Sequence, residues 1–551
     1  MPAWGTESRE SAKLYGGRWV ARLGERIVGQ GGTPEQALHA AQSLRFKEKP
    51  QVSYVPTAQP LSFAAILEKL AQVLSPEVPI YVVGGAVRDA LLGQVSHDID
   101  LLVPVEAISL GRRLANTLHA AFYPLNEEYD SARLLFNQPD GSRYVVDICS
   151  FRGPDLESDL RARDFTINAM AVSVHRPQEL LDPLGGAADL RAKTLRACSA
   201  TTFSDDPVRI LRAVRQAAAF TLHIQPETRA LMRQAVSRLR QVSVERVRDE
   251  LFRILAGPRP SVCLRALDLL GALPHLLPEL SGLKGLQQSP PHVSDVWTHT
   301  LATLQKLEIL LETLQPDFDP DKAANLTLGL AALRLGRYRQ ALHEHLSTPL
   351  SSDRPLRPLL FLAALYHDVG KAGTQQIEAS GRIRYFDHEQ ASGQLAARRG
   401  QALRLSNAEI ERLKTVVRHH MRPLHLAQSE SQPSRRAIYR FFRDTQAGGI
   451  DICLLSLADV LATYGAAPPQ AVWGRHLDVV RGLMEAWWEK PAESVAPPAL
   501  LDGRDLLREF DLPAGPHIGR LLEAVREATA SGQISTRAEA LALVKQLLEQ
   551  G

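Results

Sequence analysis

The sequence predicts a multidomain α+β protein, with a mixed strand-and-helix head followed by helical domains that run to the C-terminus. Three observations predict it. Residues 62–200 alternate short apolar strands with glycine and proline turns and amphipathic stretches. From about residue 205 the apolar residues repeat with helical spacing and continue so to the end. The chain has 551 residues, 45% of them hydrophobic, which is too long for one core and apolar enough for several.

The elements follow in order. In residues 13–45, RWVARLGERIVGQGG reads as a hairpin turning at Leu23-Gly24-Glu25, and TPEQALHAAQSL as a helix capped by Thr33 with Pro34 in its first turn. This small αβ module is followed by KEKPQVSYVPTAQP, which reads as a polar linker. The head, 62–200, holds the helix LSFAAILEKLAQVL, the strand PIYVVGG, the helix AVRDALLG closed by Gly93, and the strand DIDLLVPV. RLLFNQPDGSRYVVDICSF reads as a hairpin around Pro139-Asp140-Gly141. A helical neck spans 201–290, a His- and Asp-punctuated helical domain 291–480, and a helical tail 495–551 after the Pro-rich EKPAESVAPPALL.

Composition narrows the function. No apolar run reaches the ~18 residues of a membrane span. MPAWGTESRESAKLYGG lacks the apolar segment of a secretory signal. The expectation is a cytoplasmic protein with no membrane partner. Cys149, Cys198, Cys263 and Cys453 are far apart and form no CxxC pair, so they read as buried reduced thiols. Net charge is only +3, but residues 201–260 carry eleven Arg and no Lys against six acids. Such a helical segment suits nucleic-acid phosphates, or a solvated face.

Two constellations carry chemistry. The first is Val83-Gly84-Gly85-Ala86-Val87-Arg88-Asp89 followed by Asp98-Ile99-Asp100. Gly84 and Gly85, between a strand and a helix, let backbone N–H groups approach phosphate oxygens, and Arg88, one turn in, reaches the same phosphates. Asp98 and Asp100 alternate on a strand, so both carboxylates project to one face and can hold Mg²⁺. A lone Gly-Gly or Asp-x-Asp is weak, but the ordered set from Gly84 to Asp100 is strong. Asp147, on a neighbouring strand, reads as a third acid, either metal ligand or base, or as a surface acid of an edge strand. The second constellation is His299, His367-Asp368, His388, His419-His420 and Asp459. A helical His-Asp pair with a distant His and a distant Asp can surround one divalent metal, and further histidines allow a second.

Three more blocks make the likeness specific: DLRARDFTINAMA (159–171), LDPLGGAADL (181–190) and DDPVRILRAVR (205–215). From about 79 to 260 the chain resembles the bacterial-type (class II) tRNA nucleotidyltransferases and their poly(A) polymerase relatives. The resemblance implies a polymerase-β-like nucleotidyltransferase head, an all-α neck and body, and a helical tail. It implies that Gly85 and Arg88 bind the triphosphate, that Asp98 and Asp100 bind the metals, and that Arg163, Asp164 and Asn168 recognise the ribose. Asp206 and Arg209, three apart and expected on one helix face, match the pair that reads the incoming base; Arg212 and Arg215 continue that face toward phosphates.

The implied activity is template-independent addition of C to tRNA 3′ ends from CTP with Mg²⁺. ATP and full CCA addition, A addition and poly(A) synthesis are the alternatives. Two departures stand out. Ala162 and Asp205 replace residues of the usual motifs. The stretch from Arg152 to Asp159 is also much shorter than the flexible loop of CCA-adding members, and in this it resembles the CC-adding subgroup. The second constellation resembles the HD phosphohydrolases, with ligands His299, His367, Asp368 and Asp459, and with His388 and His419 completing a two-metal site. The metal identity is open. Lys371 would neutralise a phosphate, and His292 reads as structural or RNA-facing. Phosphate monoesters or 2′,3′-cyclic phosphates at RNA ends are the implied substrates. A further alternative is an HD-driven RNA phosphatase whose head only holds RNA.

Overall fold

The computed structural model describes residues 15–42, 48–57, 59–138, 141–323, 325–351, 354–429 and 432–550. The chain divides into two compact units, residues 1–238 and 239–551, so the break falls inside the segment expected to be the neck.

The first unit begins with strands β1 (Arg18–Leu23) and β2 (Arg26–Gly31), turning through Gly24 with φ of 57°. Helix α1 (Pro34–Gln42) follows, and Thr33 Oγ1 accepts the Gln36 N–H at 3.2 Å, as the capping pattern predicts. The segment expected to be a linker contains a third strand, β3 (Gln51–Val55), which pairs antiparallel with β1. Its alternation was short and hemmed by prolines, yet Val52 and Tyr54 cover the small core of Trp19, Ala21, Val28, Ala37 and Ala41.

The head is a seven-stranded sheet in the order β10-β9-β4-β5-β8-β7-β6. Its strands are β4 (Tyr81–Val83), β5 (Asp98–Val103), β6 (Ala121–Asn126), β7 (Ser131–Asn137), β8 (Arg143–Ser150), β9 (Ala171–Ser173) and β10 (Arg176–Leu181). Only β5 and β8 run parallel; every other neighbouring pair is antiparallel. The β7–β8 hairpin forms as expected. Pro139 and Asp140 of its turn lie outside the described residues, while Gly141 takes a φ of 83° and donates to the Gln138 carbonyl at 3.0 Å. Helices α2 (Ile66–Val73), α3 (Gly85–Leu91) and α4 (Ala107–Leu118) pack on one sheet face over Ile80, Val82, Ile99, Leu101, Val103, Val146 and Ile148. Alternation along β5 therefore sends Ile99, Leu101 and Val103 into that core, while Asp98 and Asp100 face the other way. On the far face lies α5 (Leu156–Arg161), with Leu156 and Leu160 over Val83 and Leu102; α6 (Gly186–Arg191) sets Ala187 against the first core beside α3, and α7 (Arg209–Ala219) follows the sheet in sequence.

The N-terminal module is docked on β10 and the turn after it. The Trp19 indole donates to the Leu180 carbonyl at 2.8 Å, the Asp182 N–H to the Gly32 carbonyl at 2.8 Å, and Gln36 Nε2 to the Pro183 carbonyl at 3.0 Å. Asp182 in turn accepts from the Gly186 and Ala187 N–H groups at the start of α6.

The second unit is almost wholly helical. α8 (Val296–Thr313), α9 (Leu356–Tyr366), α10 (His388–Ala402), α11 (Asn407–His419), α12 (Gly448–Thr463) and α13 (Gln470–Trp488) form its main body. α12 is buried along nearly its whole length. α14 (Gly503–Glu509), α15 (Pro516–Ala530) and α16 (Arg537–Gln550) close over Leu501, Leu506, Val525, Ala540 and Val544. Among the described residues no single helix is long and apolar enough to cross a membrane.

The docking of the module is testable. A Cβ on Gly32 would stand 1.6 Å from the Asp182 carbonyl oxygen. Gly32→Ala is expected to loosen the module by roughly 1–3 kcal/mol, read as faster amide exchange across 18–31 with the head strands unchanged; identical exchange in both proteins would refute the contact.

Candidate functional site

The head site is built where β4 ends. Gly84 has φ of 75° and opens α3. A Cβ there would lie 3.0 Å from Asp100 Oδ2 and 3.1 Å from Arg163 Nη1, so the turn, the carboxylate and the guanidinium meet in van der Waals contact. Register sets the rest: Val83 pairs with Asp100, Asp100 with Asp147 on β8, and Asp147 with Arg133 on β7. Asp98 and Asp100 are open to solvent on the same face. Protein atoms still crowd Asp100 enough to raise its carboxyl, and Asp147 and Asp98 raise it further while Arg163 opposes them. Grouped acids of this kind favour a bound divalent cation.

Asp147 is not open. Both its oxygens accept from Arg133, through Nε and Nη2, each at 2.8 Å. Arg88 is also engaged. Its Nε and Nη2 donate to Asp89, its Nη1 donates to Asn168 Oδ1 at 2.8 Å, and its guanidinium stacks on Phe220 at 4.2 Å. The tip of Arg88 comes within 3.4 Å of where a Gly85 Cβ would stand. Asn168 passes the chain on, donating to Asp164 Oδ1 and Gln216 Oε1 at 3.0 Å each. Asp164 also accepts from Arg212 at 3.0 Å. Burial works against the Asp164 charge, but Arg212 and these hydrogen bonds hold its carboxyl below the usual range. Asp164, Asn168 and Gln216 are thus buried members of a network joining α3 to α7, and of the ribose block only Arg163 stands at the glycine turn. Arg215 is half-buried on α7.

Asp206 and Arg209 do not share a helix. Asp206 is extended (φ −147°) in a break after Thr202–Asp205, and α7 starts at Arg209. Pro207 ends the first helix, since the residue before a proline is pushed out of helical conformation. The pair still approaches to 4.0 Å, and Arg209 donates to the carbonyls of Ala162, Arg163 and Thr202.

In the helical unit, His299 comes from α8, His388 from the first position of α10 and Asp459 from α12. His367 and Asp368 lie in the turn directly after α9 rather than on the helix. Asp368 is the hub. One of its oxygens lies 3.3 Å from His367 Nε2 and 3.7 Å from His299 Nε2; the other lies 3.2 Å from His388 Nε2 and 3.9 Å from His420 Nε2. Asp459 approaches His299 to 2.9 Å. Two possible metal-holding groups result, His299-His367-Asp368 and Asp368-His388-His420.

The second group corrects the expectation of His419. That residue is half-buried beside the group, and His420 takes the place. Helix phase decides between the neighbours: Leu413, Val416 and Val417 are the buried face of α11, and His420 continues it one turn on. The apolar spacing held that signal, and a bare His-His pair does not.

The donor atoms fit a metal. Nε2 of His299, His367, His388 and His420 and Oδ1 of Asp459 are buried without a hydrogen-bond partner among the described residues. Unpaired buried polar atoms cost roughly 1–3 kcal/mol each. Nδ1 of His367, His388 and His420 each meets the carbonyl three residues earlier, at 2.7, 2.9 and 2.7 Å, which fixes each ring with Nε2 inward. Burial pushes the His420 imidazole down to about 3, so it offers a lone pair at neutral pH. Asp368 is held well below its usual range: burial opposes its charge, but Lys371, 2.7 Å away, and His367 outweigh that. Lys371 also donates to Gln288 and is buried rather than presented to solvent. The His292 ring stands edge-on to His299 at 4.9 Å. Imidazole and carboxylate donors suit divalent first-row transition metals.

Divalent-metal content after dialysis separates the two histidines. His420→Ala is expected to retain less metal than wild type and His419→Ala the same amount; equal loss in both would remove His420 from the group.

Known proteins match both units of the chain. Residues 80–196 match the model of the poly(A) polymerase head domain, 221–283 that of the probable RNA- and SrmB-binding site of polymerase A, and 296–464 the HD domain. The A-adding tRNA nucleotidyltransferase of Deinococcus radiodurans is 31% identical over 474 residues, covering 85% of this chain and 95% of that protein. The CC-adding tRNA nucleotidyltransferase of Geobacter sulfurreducens is 30% identical, over 83% of this chain and 89% of that one. A CCA-adding enzyme solved in complex with ATP superposes with a TM-score of 0.56 at 22% identity, over 88% of this chain and 94% of that one.

Proposed function

The chain belongs to the tRNA nucleotidyltransferases of the CCA-adding family, and on that premise we propose that it adds cytidines, without a template, to the 3′ end of tRNA. The observation that carries this reading is the contact of Gly84 with Asp100 and Arg163. In the reaction the acceptor 3′-oxygen attacks the α-phosphorus of CTP, the bond to the β-phosphate breaks, and pyrophosphate leaves. Asp98 and Asp100 would hold Mg²⁺, which supplies charge neutralisation at the triphosphate and a more acidic 3′-hydroxyl. The Gly84–Gly85 backbone and Arg163 take triphosphate oxygens. The buried Arg88–Asn168–Asp164–Arg212 network fixes α3 and α7 on either side of that cradle. Arg209, tied to the carbonyls of Ala162 and Arg163, carries the base-reading edge on the segment that holds Arg163.

Addition of a single kind of nucleotide is supported by the short stretch after β8. Arg152 N–H donates to Asp159 at 3.2 Å. Asp155 and Ser158 close a capping box, and a Cβ on Gly153 would stand 2.4 Å from Ser158 Oγ. A stretch so pinned has one setting, and one setting suits one base.

A second reading is favoured by the buried six-residue cage around Asp368. It supports a phosphohydrolase in the helical unit, taking phosphate monoesters or 2′,3′-cyclic phosphates at RNA ends.

Substituting the acids one at a time tests both. Asp98→Ala is expected to cut CMP incorporation by about a thousandfold or more while tRNA binding and phosphate-ester hydrolysis persist; Asp368→Ala should do the reverse. Normal incorporation by Asp98→Ala would defeat the transferase reading. Sequenced products decide the nucleotide: tRNA lacking CCA should gain two C from CTP, and tRNA ending in CC should gain nothing from ATP, so an added A would overturn cytidine specificity.

A further inference from the structure

We propose that a groove between the N-terminal module and the head receives a basic peptide segment of a partner protein, anchored by apolar side chains. The groove lining contains neither the paired acids of the head nor any residue of the helical unit, so the proposal stands apart from both readings above. The groove has a volume of about 1240 Å³. Trp19 and Glu35 line it from the module, residues 76–79 from the stretch before β4, 153–157 from the stretch leading into α5, and Arg176 and Glu179 from β10. All of these belong to the first compact unit.

The floor is apolar. Tyr81 and Phe151 stack at 6.4 Å, and with Leu156 they pack half-buried on the small core of Val83, Leu102 and Leu160. Val78 and Val105 stand at the groove with 43% and 69% of their surface exposed. Contiguous apolar surface rimmed by polar groups marks a binding face. The rim is acidic. Glu35, Glu77, Asp155, Glu157 and Glu179 line the groove against a single arginine, Arg176, which pairs with Glu179 at 3.3 Å. Burial raises the Tyr81 phenol and the Glu35 charge raises it further, so the rim is felt at the floor. This concentration of acid stands in a chain of net charge +3. It repels RNA phosphates and attracts cationic groups. A lone inorganic cation would leave the aromatic floor unused, and the volume exceeds the roughly 300–1,000 Å³ of small-molecule pockets. An extended peptide that alternates basic and apolar side chains meets rim and floor at once.

The test uses the full chain and three fluorescein-labelled decapeptides, alternating Arg with Leu, Arg with Ser, and Glu with Leu. The Arg-Leu peptide is expected to bind one per chain, about tenfold more tightly than the Arg-Ser peptide. Its affinity should fall as salt rises, and the Glu-Leu peptide should not bind. In the complex, amide exchange should slow across 153–157. Glu35 and Glu77 are exposed. Glu35→Arg combined with Glu77→Arg should weaken Arg-Leu binding about tenfold and leave CMP incorporation unchanged, so the transferase reading is checked separately in the same variant. Wild-type affinity in the charge-reversed chain would overturn the proposal, as would equal binding of the Arg-Ser peptide. Binding confined to a chain lacking residues 1–14 would overturn it too, because the groove would then belong to the chain's own N-terminus.

Discussion

A Cβ on Gly84 would press on the Asp100 carboxylate at 3.0 Å and on the Arg163 guanidinium at 3.1 Å. This contact sets a positive-φ backbone turn, a carboxylate and a guanidinium at one point. Three distant stretches must converge to make it. β4 delivers the turn, the antiparallel β4–β5 register puts Asp100 opposite Val83, and the segment after α5 brings Arg163 back across the sheet. The opposite face of β5 carries Ile99, Leu101 and Val103 into the core, so a one-residue slip would bury the acids and expose the core residues. Hydrophobic burial thereby fixes the geometry of a polar site it does not touch.

The two candidate sites solve the problem of concentrated charge in opposite ways. In the head, Asp98 and Asp100 stay open to solvent. In the helical unit, Asp368 is buried at the meeting of four imidazoles, with Lys371 as its counter-charge. A buried carboxylate is tolerable there because its charge is offset and its neighbours are oriented by hydrogen bonds to carbonyls one turn back. Open acids suit a site that turns over large substrates, and a closed cage suits one that retains its metal.

Much of this was legible in the sequence, for reasons that differ by element. The Gly84–Asp100 block encodes its own geometry, because strand alternation and a positive-φ glycine are local rules. His299 and Asp459 are polar residues set in apolar helices, and His367-Asp368 directly follow another, so their placement announces a site. What the sequence hid is pairing across strands and helices. Nothing local reveals that Asp147 faces Arg133 or that Arg88 turns to Asn168, whereas the break at Asp206 was readable from Pro207. β3 was hidden because five residues between prolines carry too little alternation to outweigh their surroundings. His420 was recoverable from the phase of Leu413, Val416 and Val417.

The Arg133–Asp147 pair shows how strand order sets the partner of an acid. An aspartate one strand over from two metal-binding acids, in register with one of them, has the position of a third ligand. Its hydrogen-bond partner is decided by what stands on its other side. With an arginine in that register, the acid is already neutralised and its oxygens are already directed. Strand order, more than sequence proximity, assigns each acid of this sheet its partner.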